Sequence, residues 1–501
     1  MRKKLAILPM IMMFLTLMCC QGKQNQPQSQ ANKTASYTQD ILNRIEEVES
    51  KLCSPVKIEG TEPVFYSLAN QMKLYNVPGV SIAVINNGKI EWAKGYGVRE
   101  AGIDSPVDIN TTFQAASISK SVSALGALHL VQKGALDLDT NINDFLKSWK
   151  VPDNEFTRRK PVTLRYLLCH GAGVSGHSLG TFSRGEEIPT FLQILDGQPP
   201  SKTEPVRIIS EPQTEFRYSG GGYLIALQTM IDVSGKPFPD IMEESVLRPV
   251  GMDRSSYSQA LEHDSAANVA SSHDGMGSVF EGYWQIMPNP AGGGLWTTPS
   301  DLCLFAIEVQ KALRGESSVI SQELAEEMLT GQIGDYGLGL ILQGEGENLT
   351  FSHGGGNRGY HSWYIAYARR GQGVAVMTNG DRGHYLYNEI LRSVGIVYDW
   401  PELKPSVIKP VQLPVETLNR YTGRFLWNKA LPADITIENN HLKMAGDDGR
   451  IFLFYPDSDN HFYDLYSGWE LKFIFNEEKE VTEALMSIGA GNWLKGEKID
   501  K

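Results

Sequence analysis

Residues 117–134 read SISKSVSALGALHLVQKG. Val122, Leu125, Leu128 and Val131 recur at helical spacing and Gly134 supplies a stop, so the stretch predicts a helix from Ser117 to Lys133. Ser117 stands at its mouth, where free backbone N–H groups and the positive dipole end favour a developing oxyanion. Lys120 follows one helical turn later on the same face. An amine held there can take the hydroxyl's proton, provided burial or a neighbouring cation keeps it partly neutral. The same Ser-x-x-Lys spacing recurs at Ser54/Lys57 and Ser406/Lys409. Ser54 is followed by Pro55 and no apolar helix, and Ser406 lies among prolines, so only the first pair has a helical setting. Spacing alone also fits a serine near a helix cap and a solvated lysine.

Working outward, residues 79–97 (GVSIAVINNGKIEWAKGYG) give two β-rich runs joined at Asn87-Gly88, a tight-hairpin pair. A second hairpin is predicted downstream, where His361 to Ala368 and Gly373 to Thr378 flank Arg370-Gly371. Between them helices dominate, including Thr163 to Leu168 and Gly222 to Val233, the latter stopped by Gly235. Strands at both ends with helices between them predict an α+β domain over residues 39–398, its antiparallel sheet closed by its two ends. Four prolines in residues 401–414 mark a linker, 399–415, in which neither helix nor sheet is expected. Residues 416–501 alternate in short runs broken at Asn439-Asn440, Asp447-Asp448-Gly449 and Asp457 to Asn460, which predicts a small antiparallel β-domain, a barrel or a sandwich.

The chain has 501 residues, 41% hydrophobic and 21% charged, enough to bury a sizeable core and too many for one ordinary domain. Its net charge of −12 and lack of a basic run beyond the first residues exclude nucleic acid as an expected partner. At the N-terminus, Arg2, Lys3 and Lys4 precede an apolar stretch from Leu5 to Met18 and then Cys19-Cys20. Residues 1–20 resemble a bacterial lipoprotein signal, with Cys20 the expected lipidated residue and Cys19 the alternative. Residues 21–38 are rich in Gln, Asn, Lys and Ser and read as a flexible tether. The expected location is therefore the cell envelope, with the membrane engaged through a lipid anchor. Of the remaining cysteines, Cys53, Cys169 and Cys303, none has a ligand at metal spacing, so they read as structural and neither metal nor organic cofactor is expected.

Two further clusters complete the set. Phe216-Arg217-Tyr218-Ser219-Gly220-Gly221-Gly222 puts a tyrosine on a glycine-rich loop before a helix, and Phe351-Ser352-His353-Gly354-Gly355-Gly356 precedes the downstream strands. In order and separation, Ser117-x-x-Lys120, Tyr218-Ser219-Gly220 and His353-Gly354-Gly355 resemble the three motifs of the penicillin-binding protein and class C β-lactamase family. VTLRYLLCHGAG at 162–173 and AGGGLWTTPSDL at 291–302 are similar too, and the likeness covers roughly residues 60–398. The tail from Tyr421-Thr422-Gly423-Arg424-Phe425 resembles the lipocalin-like β-domain often appended to such enzymes.

The resemblance implies a serine hydrolase that works through an acyl-enzyme on a small-molecule or peptide substrate. Ser117 would be the nucleophile, Lys120 its activating amine and Tyr218 the proton shuttle to the leaving group, with Lys120 and Tyr218 both open as the acylation base. His353, Gly355 and Gly356 would bind substrate, and the N–H groups of Ser117 and Gly356 would form the oxyanion hole. Two departures bear on substrate. Gly220 stands where the family commonly has Asn, and His353, with an ordinary pKa near 6.5, stands where β-lactamases carry a permanently charged lysine. The His-Gly-Gly form is closer to the D-aminopeptidase and esterase branches. D-amino-acid peptides and small esters are thus favoured over a carboxylate-bearing β-lactam, and a protein of the same fold that binds peptidoglycan fragments or β-lactams without turnover is the second reading.

Two motifs read as decoys. Gly176-His177-Ser178-Leu179-Gly180 matches a nucleophile elbow but lacks the strand and helix that such an elbow needs, and Ser458-Asp459-Asn460 falls in the β-domain, as a turn. Trp284, Trp296 and Trp363 read first as packing residues.

Overall fold

The computed structural model describes residues 37–261, 267–447, 449–477, 480–487 and 493–499. The predicted signal, Cys19, Cys20 and nearly all of the predicted tether lie outside the described residues. From Gln39 onward the chain forms one compact unit.

Its first helix, α1 (Gln39–Ser50), precedes the hairpin of β1 (Gly79–Asn86) and β2 (Lys89–Gly97). Asn87 and Gly88 at its tip have φ of 53° and 71°, the left-handed pair that a two-residue turn between twisted strands requires. The helical region follows, with α2 (Ser119–Gln132), α3 (Gly220–Ser234) and α4 (Pro299–Leu313) as its longest elements. The chain then returns through β3 (Ile341–Gln343), β4 (Thr350–Asn357), β5 (Tyr360–Tyr367) and β6 (Gly373–Thr378), and closes with α5 (Gly383–Val397).

The six strands form one antiparallel sheet in the order β2-β1-β6-β5-β4-β3, so the domain's two ends meet at the β1–β6 pair, with Val80 opposite Thr378 and Val84 opposite Val374. Helix α5, carrying α1, packs on β5 and β6, and α4 packs on β1, β2 and β6. Both faces of β6 are therefore covered, which is why it reads GVAVMT without alternation.

Helix α2 differs from the predicted amphipathic stripe. Every residue from Ser119 to Leu128 is buried, so the helix runs through the core. Its serines are satisfied internally: Ser121 Oγ donates to the Gly339 carbonyl at 2.7 Å and Ser123 Oγ to the Ala291 carbonyl at 3.1 Å. The predicted stop of α3 holds, with Gly235 at φ 70° as a left-handed cap.

The C-terminal strands, from Gly423–Trp427 to Trp493–Ile499, close into an eight-stranded antiparallel barrel. Tyr421, Phe425, Phe454 and Phe462 are fully buried in its core, which is separate from the large core around α2. Ser458-Asp459-Asn460 is a bend between barrel strands, and the Asp459 carbonyl accepts from the Tyr421 hydroxyl. The proline-rich stretch holds more structure than expected. Ser406–Ile408 pairs in parallel with Val56–Ile58, because Pro405 and Pro410 leave the four residues between them free to donate.

Candidate active site

The turn that presents Ser117 is shaped from both sides. Ala116 has φ 48°, a left-handed conformation rare for a residue with a Cβ, and Ser117 lies in the 3₁₀ turn Ala116–Ile118 that leads into α2. Strand β4 crosses this turn so closely that a Cβ at Gly355 would lie 2.0 Å from the Ala115 carbonyl oxygen. Lys120, 3% exposed, donates from Nζ to Ser117 Oγ at 3.1 Å and to the Gly292 carbonyl at 2.6 Å. The other two Ser-x-x-Lys spacings fall on or beside the short strands Val56–Ile58 and Ser406–Ile408, where residues three apart face opposite sides.

Tyr218 arrives on the loop before α3. Ser219 caps that helix, its Oγ accepting from the Gly222 N–H at 3.0 Å and donating to the Ser175 carbonyl at 2.7 Å. The Ser219 N–H donates to His170 Nδ1 at 3.1 Å, which fixes the His170 proton on Nε2, and the His170 ring lies 4.2 Å from that of Tyr218. Burial, reinforced by the Lys120 charge, holds His170 neutral, its pKa well below the ordinary value. The Lys120 ammonium stands 4.8 Å from the centre of the Tyr218 ring. Lysine and tyrosine thus meet through the ring, and among the described residues the Tyr218 hydroxyl has no hydrogen bond to Lys120 or Ser117.

His353 is placed differently from the expected substrate contact. It is 3% exposed, its Nδ1 donates to the Gly354 carbonyl at 2.7 Å, and its Nε2 accepts from the Tyr336 hydroxyl at 2.9 Å. A carbonyl can only accept, so these two bonds define the neutral Nδ1–H tautomer. Burial, with a smaller contribution from the Lys120 charge, pushes its pKa down to about 3. Both nitrogens are occupied by protein.

Ser117, Lys120, Tyr218 and Gly356 line one cavity of about 160 Å³. His353 and Gly355 are not on its wall; Gly355 is packed beneath the nucleophile turn. The wall includes His177, Ser178, Leu179 and Gly180, so the stretch read as a decoy elbow is part of the site without being a nucleophile turn. It also includes Asn289, which sequence reasoning missed; the available signal was Asn289-Pro290, a side-chain cap followed by proline in the first turn of a short helix. Trp284 and Trp296 are buried edge-to-face at 5.3 Å and Trp363 stacks on Tyr387, so all three are packing residues as read. Cys53, Cys169 and Cys303 are free, buried thiols with pKa values pushed up by burial, and no metal-holding cluster is present among the described residues.

The chain matches the family profile described as Beta-lactamase over residues 67–392. It is 24% identical to penicillin-binding protein 4* of Bacillus subtilis (strain 168) over 438 residues, 82% of this chain and 93% of that one. Its fold is similar to the octameric penicillin-binding protein homologue from Pyrococcus abyssi, with a TM-score of 0.57 and 22% identity over 86% of this chain and 98% of the other. It is also similar to D-amino acid amidase from Ochrobactrum anthropi SV3, with a TM-score of 0.55 and 21% identity over 72% and 99% of the two chains. The chain belongs to the beta-lactamase family.

Proposed function

We propose that this protein is a serine hydrolase that cleaves amide or ester bonds through an acyl-enzyme on Ser117. The carrying observation is the buried side chain of Lys120, its Nζ 3.1 Å from Ser117 Oγ and anchored on the Gly292 carbonyl. In acylation, Ser117 Oγ attacks the substrate carbonyl carbon and gives its proton to the neutral amine form of Lys120 or to the phenolate form of Tyr218. Where Lys120 takes it, the proton returns to Tyr218 after Tyr218 has served the leaving group. The tetrahedral oxyanion is held by the N–H groups of Ser117 and Gly356, and collapse expels an amine or alcohol that takes a proton from Tyr218. Water then attacks the acyl-enzyme, releases the acid and restores Ser117.

Substrate preference follows from charge and size. A neutral, buried His353 supplies no cation for a substrate carboxylate, and a cavity of about 160 Å³ suits a small acyl group. Small esters and D-amino-acid amides or peptides are therefore the proposed substrates, in keeping with the likeness to a D-amino acid amidase. Acylation of Cys20 would hold the enzyme on the cell envelope by the tether at 21–38. Gly220, which lacks an amide side chain in the cavity, favours the second reading of a binding protein that acylates without turnover. Labelling with a fluorophosphonate, on wild type and Ser117→Ala, combined with nitrocefin, p-nitrophenyl esters and D-alanyl anilides, separates the two. Turnover of esters or anilides supports the hydrolase, a Ser117 adduct without turnover of any of these substrates the binding protein, and an unlabelled wild type refutes both.

A further inference from the structure

Asn289 lies between the two halves of the proposed machinery. Its Nδ2 donates to the Gly220 carbonyl at 2.8 Å, two residues after Tyr218, and its Oδ1 accepts from the Gly292 N–H at 3.2 Å. The Gly292 carbonyl is in turn the anchor of Lys120 at 2.6 Å. One carboxamide, 5% exposed and on the cavity wall, therefore ties the backbone behind Tyr218 to the turn that holds the ammonium. From the other side, the Gly220 N–H donates to the His177 carbonyl at 3.1 Å, and a Cβ at 220 would stand 3.1 Å from that oxygen. Residue 220 is thus pinned between the 176–180 segment and Asn289, with little room for a side chain of its own.

We infer that Asn289 is a positioning residue that sets the separation of Tyr218 and Lys120 by bracing Gly220 against Gly292. This rests on the proposed hydrolase reading, because it gives Asn289 its task in the same cavity. The competing explanation is a plain cap of the four-residue helix Pro290–Gly293. The two differ in reach, since a serine at 289 can accept from the Gly292 N–H but is too short to donate to the Gly220 carbonyl.

The test compares Asn289→Ser and Asn289→Ala with wild type in p-nitrophenyl ester hydrolysis, fluorophosphonate labelling and thermal melting. For Asn289→Ser the expected result is a kcat lower by about 10- to 100-fold, a KM within about threefold and a Tm within about 2 °C of wild type. Asn289→Ser turning over at the wild-type rate, with only Asn289→Ala impaired, would mean that Asn289 is a cap and would overturn the inference. A crystal structure of Asn289→Ser supplies a reading independent of turnover. The Lys120 ammonium should move about 1 Å or more relative to the Tyr218 ring, and an unchanged 4.8 Å separation counts against the brace. If the wild type neither labels nor hydrolyses, the hydrolase reading fails alone, and the structural comparison still decides the brace.

Discussion

Lys120 joins two roles that sequence alone leaves separate, a partner for Ser117 and a buried side chain whose Nζ is anchored on a carbonyl. Lys120→Ala is expected to lower the rate of Ser117 acylation by about 10²- to 10⁴-fold while the protein still folds, because α2 is held by the apolar residues around it. Fluorophosphonate labelling alongside circular dichroism checks this, and labelling at the native rate would remove Lys120 from the mechanism. His353 carries a different prediction. Its pKa is about 3 in the fold and about 6.5 in the unfolded chain, so between those values the unfolded state binds a proton that the folded state does not. Its contribution to stability is complete above about pH 6.5 and declines as pH falls, by about 1.4 kcal/mol for each pH unit. His361, lowered to about 4 by burial, has the same sign. His353→Asn should lose less of its urea midpoint between pH 7 and pH 5 than wild type does, and equal losses would show that the imidazole is not the titrating group.

At the scale of elements, the crossing of β4 over the turn before Ser117 couples the sheet to the nucleophile. Gly355→Ala would drive a Cβ against the Ala115 carbonyl, costing about 1–3 kcal/mol through overpacking and displacing Ser117. The expected result is a lower Tm together with loss of Ser117 labelling; a variant that labels normally would show that the turn tolerates the shift. This contact was not legible in the sequence, since a glycine in a His-Gly-Gly-Gly run gives no sign of which of its members meets a backbone roughly 240 positions away. The hairpin at Asn87-Gly88 was legible, because its turn type depends on two adjacent residues. The same contrast holds for α2. Its helical period was plain, whereas its burial on all sides depends on what other elements bring to it.

For the whole molecule, the core around α2 and the aromatic core of the barrel are separate clusters. Heating is therefore expected to give two calorimetric transitions, one for each core, and a single two-state transition would show that the two cores unfold as one unit. The parallel pairing of Val56–Ile58 with Ser406–Ile408 fastens the segment that precedes the barrel to the start of the first domain, and unites chain segments about 350 residues apart. The prolines around Ser406 predicted a linker because they report on local donors only, and they are silent on a distant strand that can pair with Ser406–Ile408 between them.

Local chemistry in the sequence determined the elements and the order of the motifs: a serine and a lysine one helical turn apart, a tyrosine ahead of a capped helix, and strands at both ends of one domain. Those properties depend on neighbours within a few residues. Tertiary structure decided the protonation of His353, the approach of Lys120 to the face of Tyr218, and the link from Asn289 to both loops. Each of these is set by burial and by contacts between segments remote in the chain, which packing creates and which no short stretch of sequence contains.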